Sequence, residues 1–344
     1  MMEFVLQYGL FVAKTATIVV AAGVLVALVA GLSRRGRQPD RLQVTRLNDH
    51  YRSLKQALEA SILPRKHFKV EEKARRQERK ALRKRSAEEA EKSRRVFVIN
   101  FRGDIRASAV AALREEVTAL LTIARAEDEV VLRLENAGGL VHDHGLAASQ
   151  LERIRSRGIP LTVAVDKIAA SGGYMMACVG DKILAAPFAL LGSIGVLAQI
   201  PNFHRLLKKK DIDVEILTAG EYKRTLSMFG ENTEKGREKF ISELEDVHAL
   251  FKDFVSEHRP VVDTEKVATG EAWYGKRALE QKLVDELKTS DEYIIDKCED
   301  SDVFQVKYVE HHNRVEKLLD RMTYAWSRVN GVDFMQRNQG PFTY

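Results

Sequence analysis

The sequence predicts an α/β domain with parallel strand pairing, preceded by an apolar N-terminal segment and a charged arm. From Val96 onward, short apolar runs of strand character alternate with segments of helical periodicity, which is typical of parallel sheets crossed by helices. An uncharged run covers residues 15–33, and charged residues are concentrated between that run and Val96. The chain has 344 residues, of which 45% are hydrophobic, so it is long enough to bury a sizeable core.

The N-terminal segment is predicted to be a retained transmembrane anchor over residues 1–33. Residues 15–33 are 19 consecutive uncharged residues, followed by Arg34, Arg35 and Arg37. A helix of that length spans a hydrocarbon core of roughly 30 Å. A cleaved signal peptide is the alternative, but no basic region precedes the run, and the run exceeds the usual apolar length of such peptides.

The charged arm over residues 34–95 is predicted to contain an amphipathic helix and then a basic, solvated helical spacer. The helix is expected over 41–63, where four apolar side chains recur at helical spacing: Leu47, Tyr51, Leu54 and Leu58. Residues 65–95 hold 14 Lys and Arg against 6 Asp and Glu, and anionic lipid headgroups are the predicted partner. No nucleic acid is expected, because aromatic side chains for base stacking do not alternate with the basic ones.

Charge and cysteine content narrow the class of protein. The net charge of +6 at pH 7 is a balance of +12 over the first 95 residues against −6 over the rest. The basic character therefore belongs to the arm and does not mark the body as a nucleic-acid binder. The two cysteines, Cys178 and Cys298, provide neither a disulfide framework nor a thiolate metal cluster.

The body is predicted to extend over residues 96–330, with a tail at 331–344. Strands are expected at 96–101, 129–135 and 161–165, and further extended segments at 183–186, 194–200 and 214–218. Helices are expected at 107–126, 145–156, 234–259 and 315–328, and a short helix is expected to begin near Ser171.

Three glycine-containing turns, at residues 136–139, 170–174 and 192–196, carry the candidate chemistry. A glycine pair after a strand lets backbone N–H groups face an oxyanion without obstruction by a Cβ atom. Ser171, at the first turn of a helix, would have an accessible Oγ beside the positive end of the helix dipole. Capping that helix is the ordinary use of such a serine, so Ser171 alone does not decide between structure and chemistry.

A serine nucleophile needs a base, and the sequence offers two kinds. His142 and His144 flank Asp143, so a triad is possible, although a surface pair of histidines is the more ordinary interpretation. Two ring nitrogens without a third ligand do not indicate a metal site. Lys223 follows a predicted strand, and a lysine acts as a base when its surroundings keep it neutral. The local sequence leaves both bases open.

Five segments, taken together, resemble successive motifs of the signal peptide peptidase A family, which is peptidase family S49. They are FRGDI (101–105), LRLENAGGLV (132–141), VAVDKIAASGGYMMA (163–177), APFALLGSIGV (186–196) and TAGEYKR (218–224). The resemblance covers about residues 96–300, in order, and implies the following roles. Ser171 would be the nucleophile, Lys223 the general base and Ser193 the group that orients the lysine, with an oxyanion hole from Gly138 or Gly139 together with Gly172.

The resemblance also implies a fold, an activity and an assembly. The fold would be the ClpP/crotonase type, built from repeated ββα units, and the body a Ser-Lys endopeptidase working through an acyl-enzyme, with no metal or organic cofactor. Substrates would be peptides, such as signal-peptide remnants or misfolded membrane or envelope polypeptides. The chain would be a single-pass protein of the bacterial inner membrane and form a homo-oligomer whose active sites lie at subunit interfaces. The basic flank favours a cytoplasmic body and the resemblance a periplasmic one, so the side is open.

One departure from the family pattern lies just before the glycine pair. Where the family usually has Ser-Pro, this chain has Asn136-Ala137. Proline fixes φ, so its loss removes a restraint on the turn. Because the oxyanion donors would be main-chain groups, the function is expected to survive, whereas the rigidity of the loop and its substrate preference are open.

Two other functions compete with a peptidase. A crotonase-like acyl-CoA enzyme would also place paired backbone N–H groups against a carbonyl, but it would not require Ser171 and Lys223 together. A catalytically idle membrane scaffold would use the basic arm to recruit a partner. The presence of Ser171, Lys223 and Ser193 argues against such a scaffold.

Overall fold

The computed structural model describes residues 41–62 and 94–309, a few isolated positions between 9 and 20, and residues 64 and 77. Leu42–Tyr308 form one compact unit. Most of the predicted anchor and spacer, and the whole of the predicted helix at 315–328, lie outside the described residues. Within the part that is described, no helix has the length and apolar character needed to cross a bilayer.

Strands and helices alternate along this unit, and their bounds are as follows. The first half contains β1 (Arg41–Arg46), α1 (Leu47–Ile62), β2 (Arg95–Arg102), α2 (Val110–Leu121), β3 (Glu129–Glu135), α3 (Val141–Arg155), β4 (Leu161–Val165), β5 (Ile168–Ala170) and α4 (Gly172–Ala177). The second half contains β6 (Lys182–Ala185), β7 (Leu190–Gly192), α5 (His204–Lys208), α6 (Glu234–His258), α7 (Thr264–Val267), β8 (Ala272–Tyr274), α8 (Gly275–Glu280), β9 (Glu286–Leu287), α9 (Ser290–Asp300) and β10 (Asp302–Val309).

The main sheet has seven strands in the order β1-β10-β2-β3-β4-β6-β9. Its pairings from β10 through β9 are parallel, so the α/β class predicted from the sequence is confirmed. Every residue of β4 and five of the seven residues of β3 are buried, as expected where helices cover both faces of a parallel sheet.

Alternate side chains of β2 enter two separate cores. Phe97 and Ile99 belong to the larger core, which also contains buried residues of α2, α3 and α4. Val96 and Val98 belong to the smaller core on the other face, together with Leu47 of α1 and Ile294 of α9. This period-two alternation fixes the register of β2, because a slip by one residue would exchange the two faces.

The helix predicted over residues 41–63 begins only at Leu47, since residues 41–46 form strand β1 next to β10. The apolar residues Leu42 and Val44 alternate with polar ones, as in a strand, and β1 covers the edge that β10 would otherwise expose. Asn48 then fixes α1 to the body: its amide donates to Cys298 O at 3.1 Å and Ser301 O at 2.9 Å, and its Oδ1 accepts from Val303 N at 2.8 Å.

Two predicted extended segments are wrong, namely 194–200 and 214–218. The structure places the strand before the first of them, at Leu190–Gly192, and assigns no strand to either segment. Apolar residues in the second segment suggested a buried strand, but the side chains of residues 211–224 are exposed. A strand requires a neighbour to pair with, and among the described strands neither segment has one.

A small second sheet, in the order β5-β7-β8, adjoins the main one. Strands β5 and β7 are parallel, with Ala170 opposite Gly192, and an isolated bridge joins Asn136, at the end of β3, to Ala169 of β5. The ends of β3, β5 and β7 therefore lie side by side, and each leads into one of the three glycine turns.

Candidate active site

Ser171 lies at the junction of β5 and α4, beside the end of β7. Its N–H donates to Gly192 O at 2.8 Å, and its carbonyl accepts from Tyr174 N at 2.8 Å and Met175 N at 3.0 Å. Since Ala170 pairs with Gly192 in parallel register, Ser171 and Ser193 follow directly at the ends of neighbouring strands. The structure thus brings together two of the residues that the sequence singled out.

The backbone of Ser171 adopts φ 51° and ψ −121°, and Ser193 also has φ 51°. Residues other than glycine rarely adopt positive φ, and such strain persists only where the surroundings impose it, which is common at functional sites. The Ser171 side chain makes no capping hydrogen bond to α4, so it does not cap this helix. As a residue, Ser171 is partly exposed.

Gly138 lies directly against Ser171. A Cβ atom built on Gly138 would lie 2.7 Å from Ala170 O, 2.8 Å from Ser171 Cβ and 2.9 Å from Gly172 N, and φ of Gly138 is +89°. Only glycine fits such a position, for both steric and conformational reasons. The turn after β3 and the turn before α4 therefore meet at the serine, as an oxyanion hole would require.

The predicted oxyanion donors differ in their availability. The N–H of Gly138 donates to Asn136 Oδ1 at 2.9 Å. In the described part of the chain, no acceptor receives the N–H of Gly139 or the N–H of Gly172. Of the three predicted groups, these two are therefore free to bind a substrate oxygen, and their role stays a prediction.

Lys223 lies apart from this cluster. It falls in an irregular segment between α5 and α6, where its side chain is exposed and its N–H donates to Gly220 O at 3.2 Å. Among the described residues its ammonium makes no hydrogen bond or ion pair, either with Ser171 or with Ser193. Within one chain, the predicted base is therefore not joined to the predicted nucleophile.

The two histidines after the glycine pair have different surroundings, so the interpretation as a surface pair is wrong for His144. His142 is exposed, with its Nε2 3.7 Å from Asp143 Oδ1, whereas His144 is fully buried. Nδ1 of His144 lies 2.8 Å from Leu140 O and Nε2 lies 3.2 Å from Asn136 Oδ1. Because both ring nitrogens are engaged with these oxygens, neither is placed to accept the proton of Ser171.

The sequence analysis did not predict that Asn136 and His144 contact each other beside the glycine turns. A signal was present, because His144 lies on the buried stripe of α3 with Ala147, Ala148 and Leu151. A histidine at that helical spacing faces the core, and α3 begins just after the glycine turn. In the described residues no cluster of three or more His, Cys, Asp or Glu side chains is placed to hold a metal ion.

Taken together, the α/β fold and a serine at positive φ between glycine backbones are features that an acyl-transfer hydrolase requires. Comparison with known proteins gives the family. Residues 3–151 match the model of the peptidase family S49 N-terminal region, and residues 153–303 match the model of peptidase family S49 itself. The chain belongs to peptidase family S49, a family of proteases, so the predicted resemblance is confirmed.

The chain is similar to curated relatives over most of its length. A protein of Haemophilus influenzae described as "Probable protease SohB" is 50% identical over 316 residues, covering 88% of each chain. A relative of the same description from Buchnera aphidicola is 46% identical over 340 residues, covering 98% of this chain and 99% of the other. A solved structure of a membrane-bound stomatin-specific protease with a substrate peptide matches at a TM-score of 0.38 and 15% identity, covering 59% of this chain and 80% of that chain.

Proposed function

We propose that this protein is a membrane-anchored serine endopeptidase that cleaves peptide bonds with Ser171 as nucleophile and Lys223 as general base. The observation that supports this most directly is the turn at Ser171, where a strained backbone packs the serine against Gly138 and the side chain makes no capping hydrogen bond. A serine held in this way is pre-oriented for attack, and the strain is retained only because three strand ends enclose it.

The proposed reaction is acyl transfer in two steps. Neutral Lys223 accepts the proton of Ser171 Oγ as the oxygen attacks the carbonyl carbon of the peptide bond. The tetrahedral oxyanion is bound by free backbone N–H groups, and the lysine ammonium then protonates the leaving amine. Water, deprotonated by the same lysine, hydrolyses the acyl-enzyme and restores Ser171.

We propose that the base comes from a neighbouring subunit. Lys223 is exposed in its own chain, and its segment carries large apolar side chains that are also exposed: Ile216, Leu217 and Tyr222, with Leu217 at 90%. Such a concentration is unusual on a monomer and typical of an interaction surface. In a homo-oligomer this segment would bring Lys223 of one subunit to Ser171 and Ser193 of the next.

The remaining parts of the proposal rest on the sequence. The uncharged run at 15–33 would anchor the chain in the bacterial inner membrane as a single pass, and the basic arm would bind anionic lipid. The fold would be of the ClpP/crotonase type, which the parallel main sheet and the adjoining small sheet support. Substrates would be signal-peptide remnants or misfolded membrane and envelope polypeptides.

Covalent labelling tests the nucleophile. The full-length protein in detergent is expected to react with a fluorophosphonate and to cleave an unstructured polypeptide, and Ser171→Ala should lose both properties. Ser149→Ala, at an exposed serine of α3, is the matched control and should keep both. Hydrolysis that survives Ser171→Ala in a folded protein would overturn the assignment, and so would acyl-CoA turnover without labelling.

A further inference from the structure

Two buried polar side chains lie under the catalytic turns without being part of the proposed reaction. Asn136 is 1% exposed and His144 is fully buried. Burying polar groups is costly unless their hydrogen bonds are satisfied. The hydrogen bonds of Asn136 and His144 connect them to the glycine turn that is proposed to bind the oxyanion.

The contacts of Asn136 fix which way its amide points. Its Oδ1 accepts from Gly138 N at 2.9 Å, and its Nδ2 faces Met176 Sδ at 3.3 Å. Exchanging oxygen and nitrogen would set the NH₂ group against the N–H of Gly138, two donors facing each other. The amide oxygen therefore points to Gly138 and, on its other side, to His144.

His144 then faces an acceptor at each ring nitrogen. Leu140 O lies 2.8 Å from Nδ1 and Asn136 Oδ1 lies 3.2 Å from Nε2. The donor and acceptor roles of the two nitrogens depend on the tautomer of the ring, and in every case the ring lies against the oxygen that accepts from Gly138 N. If the Asn136 amide were inverted, its NH₂ group would face Nε2, and the N–H of Gly138 would be released.

Three glycines from two segments, Gly103 after β2 and the adjacent Gly172 and Gly173 of α4, make room for this pair. A Cβ atom would lie 2.4 Å from Asn136 Cγ if built on Gly103, 2.4 Å from the His144 ring if built on Gly172, and 2.1 Å from Asn136 O if built on Gly173. Larger residues at these positions would displace the pair. The close fit leaves Asn136 and His144 little freedom to move.

Asn136 also ties the turn to the nucleophile through its backbone. Its N–H donates to Ile168 O at 2.9 Å, and its carbonyl accepts from Ala170 N at 3.0 Å, immediately before Ser171. One residue therefore fixes the turn through its side chain and the start of the serine turn through its main chain.

We propose that Asn136 and His144 are positioning residues that set the geometry of the oxyanion hole. By engaging the N–H of Gly138, they leave the N–H of Gly139, together with that of Gly172, to bind the oxyanion. This inference rests on the proposed peptidase function, and neither residue touches the substrate.

Substitutions of similar volume at Asn136 test the role of the amide oxygen. In the full-length protein, Asn136→Leu removes the acceptor, whereas Asn136→Asp keeps it. We expect kcat to fall by roughly 10- to 100-fold in Asn136→Leu, with KM unchanged, because the loss appears in the transition state. Binding of a peptide aldehyde, which forms an oxyanion on Ser171, should weaken by the same factor, and Asn136→Asp should retain most activity.

The result that overturns the inference is a folded Asn136→Leu protein with unchanged or higher kcat, since a freed Gly138 N–H would then be a competent donor. Failure of the proposed function looks different, because Ser171→Ala would then remain active. If Asn136→Leu does not fold, the inference is tested with His144→Phe. This variant keeps a ring under Gly172 but donates no hydrogen bond, and we expect the same fall in kcat. His142→Phe is the matched control and should behave as the unsubstituted protein.

Discussion

The serine half and the lysine half of the candidate site are held in contrasting ways. Ser171 is enclosed by the ends of β3, β5 and β7 and by Gly138, where an added Cβ atom would lie under 3 Å from three neighbouring atoms. Lys223 lies in an irregular, exposed segment, and no hydrogen bond of its side chain is found among the described residues. A single chain therefore completes the nucleophile and the candidate oxyanion donors but leaves the base unplaced. This difference is what a site shared between subunits would produce, and it can be tested from both sides.

The largest expected effect comes from mixing two inactive proteins. Ser171→Ala and Lys223→Ala should each lower kcat by at least about 10³-fold, because nucleophile and base act as one unit. In a symmetric ring with a shared site, about one quarter of the sites in an equal mixture would join an intact serine to an intact lysine. Hydrolysis should return to about that fraction after subunit exchange. Mixed oligomers, verified by two affinity tags, that stay inactive would place both residues in one chain.

On the serine side, Gly138→Ala should remove most activity. The added Cβ would meet Ala170 O, Ser171 Cβ and Gly172 N at 2.7–2.9 Å and would be strained at φ +89°. We expect a fall in kcat of roughly 10²–10³-fold, comparable to the loss of an oxyanion donor. Gly145→Ala is the control, since its Cβ would meet nothing within 4 Å. Normal kcat in Gly138→Ala would show that the turn tolerates displacement.

On the lysine side, Leu217→Asp should act through assembly. Its side chain is 90% exposed in the single chain, so a charge there leaves the fold unchanged but opposes burial against a neighbour. We expect a smaller oligomer in light scattering and a roughly 10-fold or greater loss of activity, with an unchanged circular-dichroism spectrum. Ile123→Asp, at an exposed side chain just after α2, is the control. An intact oligomer in Leu217→Asp would exclude this segment from the interface.

The same contrast explains which parts of the molecule the sequence could predict. Strands β3 and β4 were predicted at their observed bounds, because each is a short segment rich in Val and Leu between turn residues. The segment 214–218 has comparable apolar character, yet it forms no strand and its side chains are exposed. Apolar character alone does not show whether a segment has a neighbouring strand to pair with. Strand β1 was not predicted, because its pairing depends on β10, which lies more than 250 residues later in the chain.

The candidate site shows the same limit at the scale of single residues. The glycine turns were predictable from local pattern, since a serine and paired glycines after strands have few structural uses. The contact between Asn136 and His144 depends on how α3 packs against the turn, which no local pattern specifies. His144, which the sequence analysis interpreted as one of a surface pair, is fully buried.

The smallest expected effect concerns stability far from either half of the site. Glu116 of α2 is 4% exposed, and its Oε1 accepts from Tyr308 N, in β10, at 2.8 Å. Burial raises the pKa of this carboxyl from 4.5 to about 7, while the hydrogen bond from Tyr308 and the charge of Lys307 oppose the rise. Between these two values the folded protein keeps a proton that the unfolded chain has lost.

The free energy of unfolding should therefore decrease as the pH rises from about 4.5 to about 7, and the contribution of Glu116 should be constant above that range. Glu116→Gln keeps the oxygen that accepts from Tyr308 but cannot ionise. We expect it to stabilise the protein by roughly 1–3 kcal/mol at pH 8 and by little at pH 5, in urea unfolding followed by fluorescence. Because Glu116 lies away from Ser171 and Lys223, kcat and its pH profile should not change. A shift of that profile in Glu116→Gln would mean that β10 is coupled to the candidate catalytic turns, and the two halves of the site could then no longer be treated as independent of the rest of the fold.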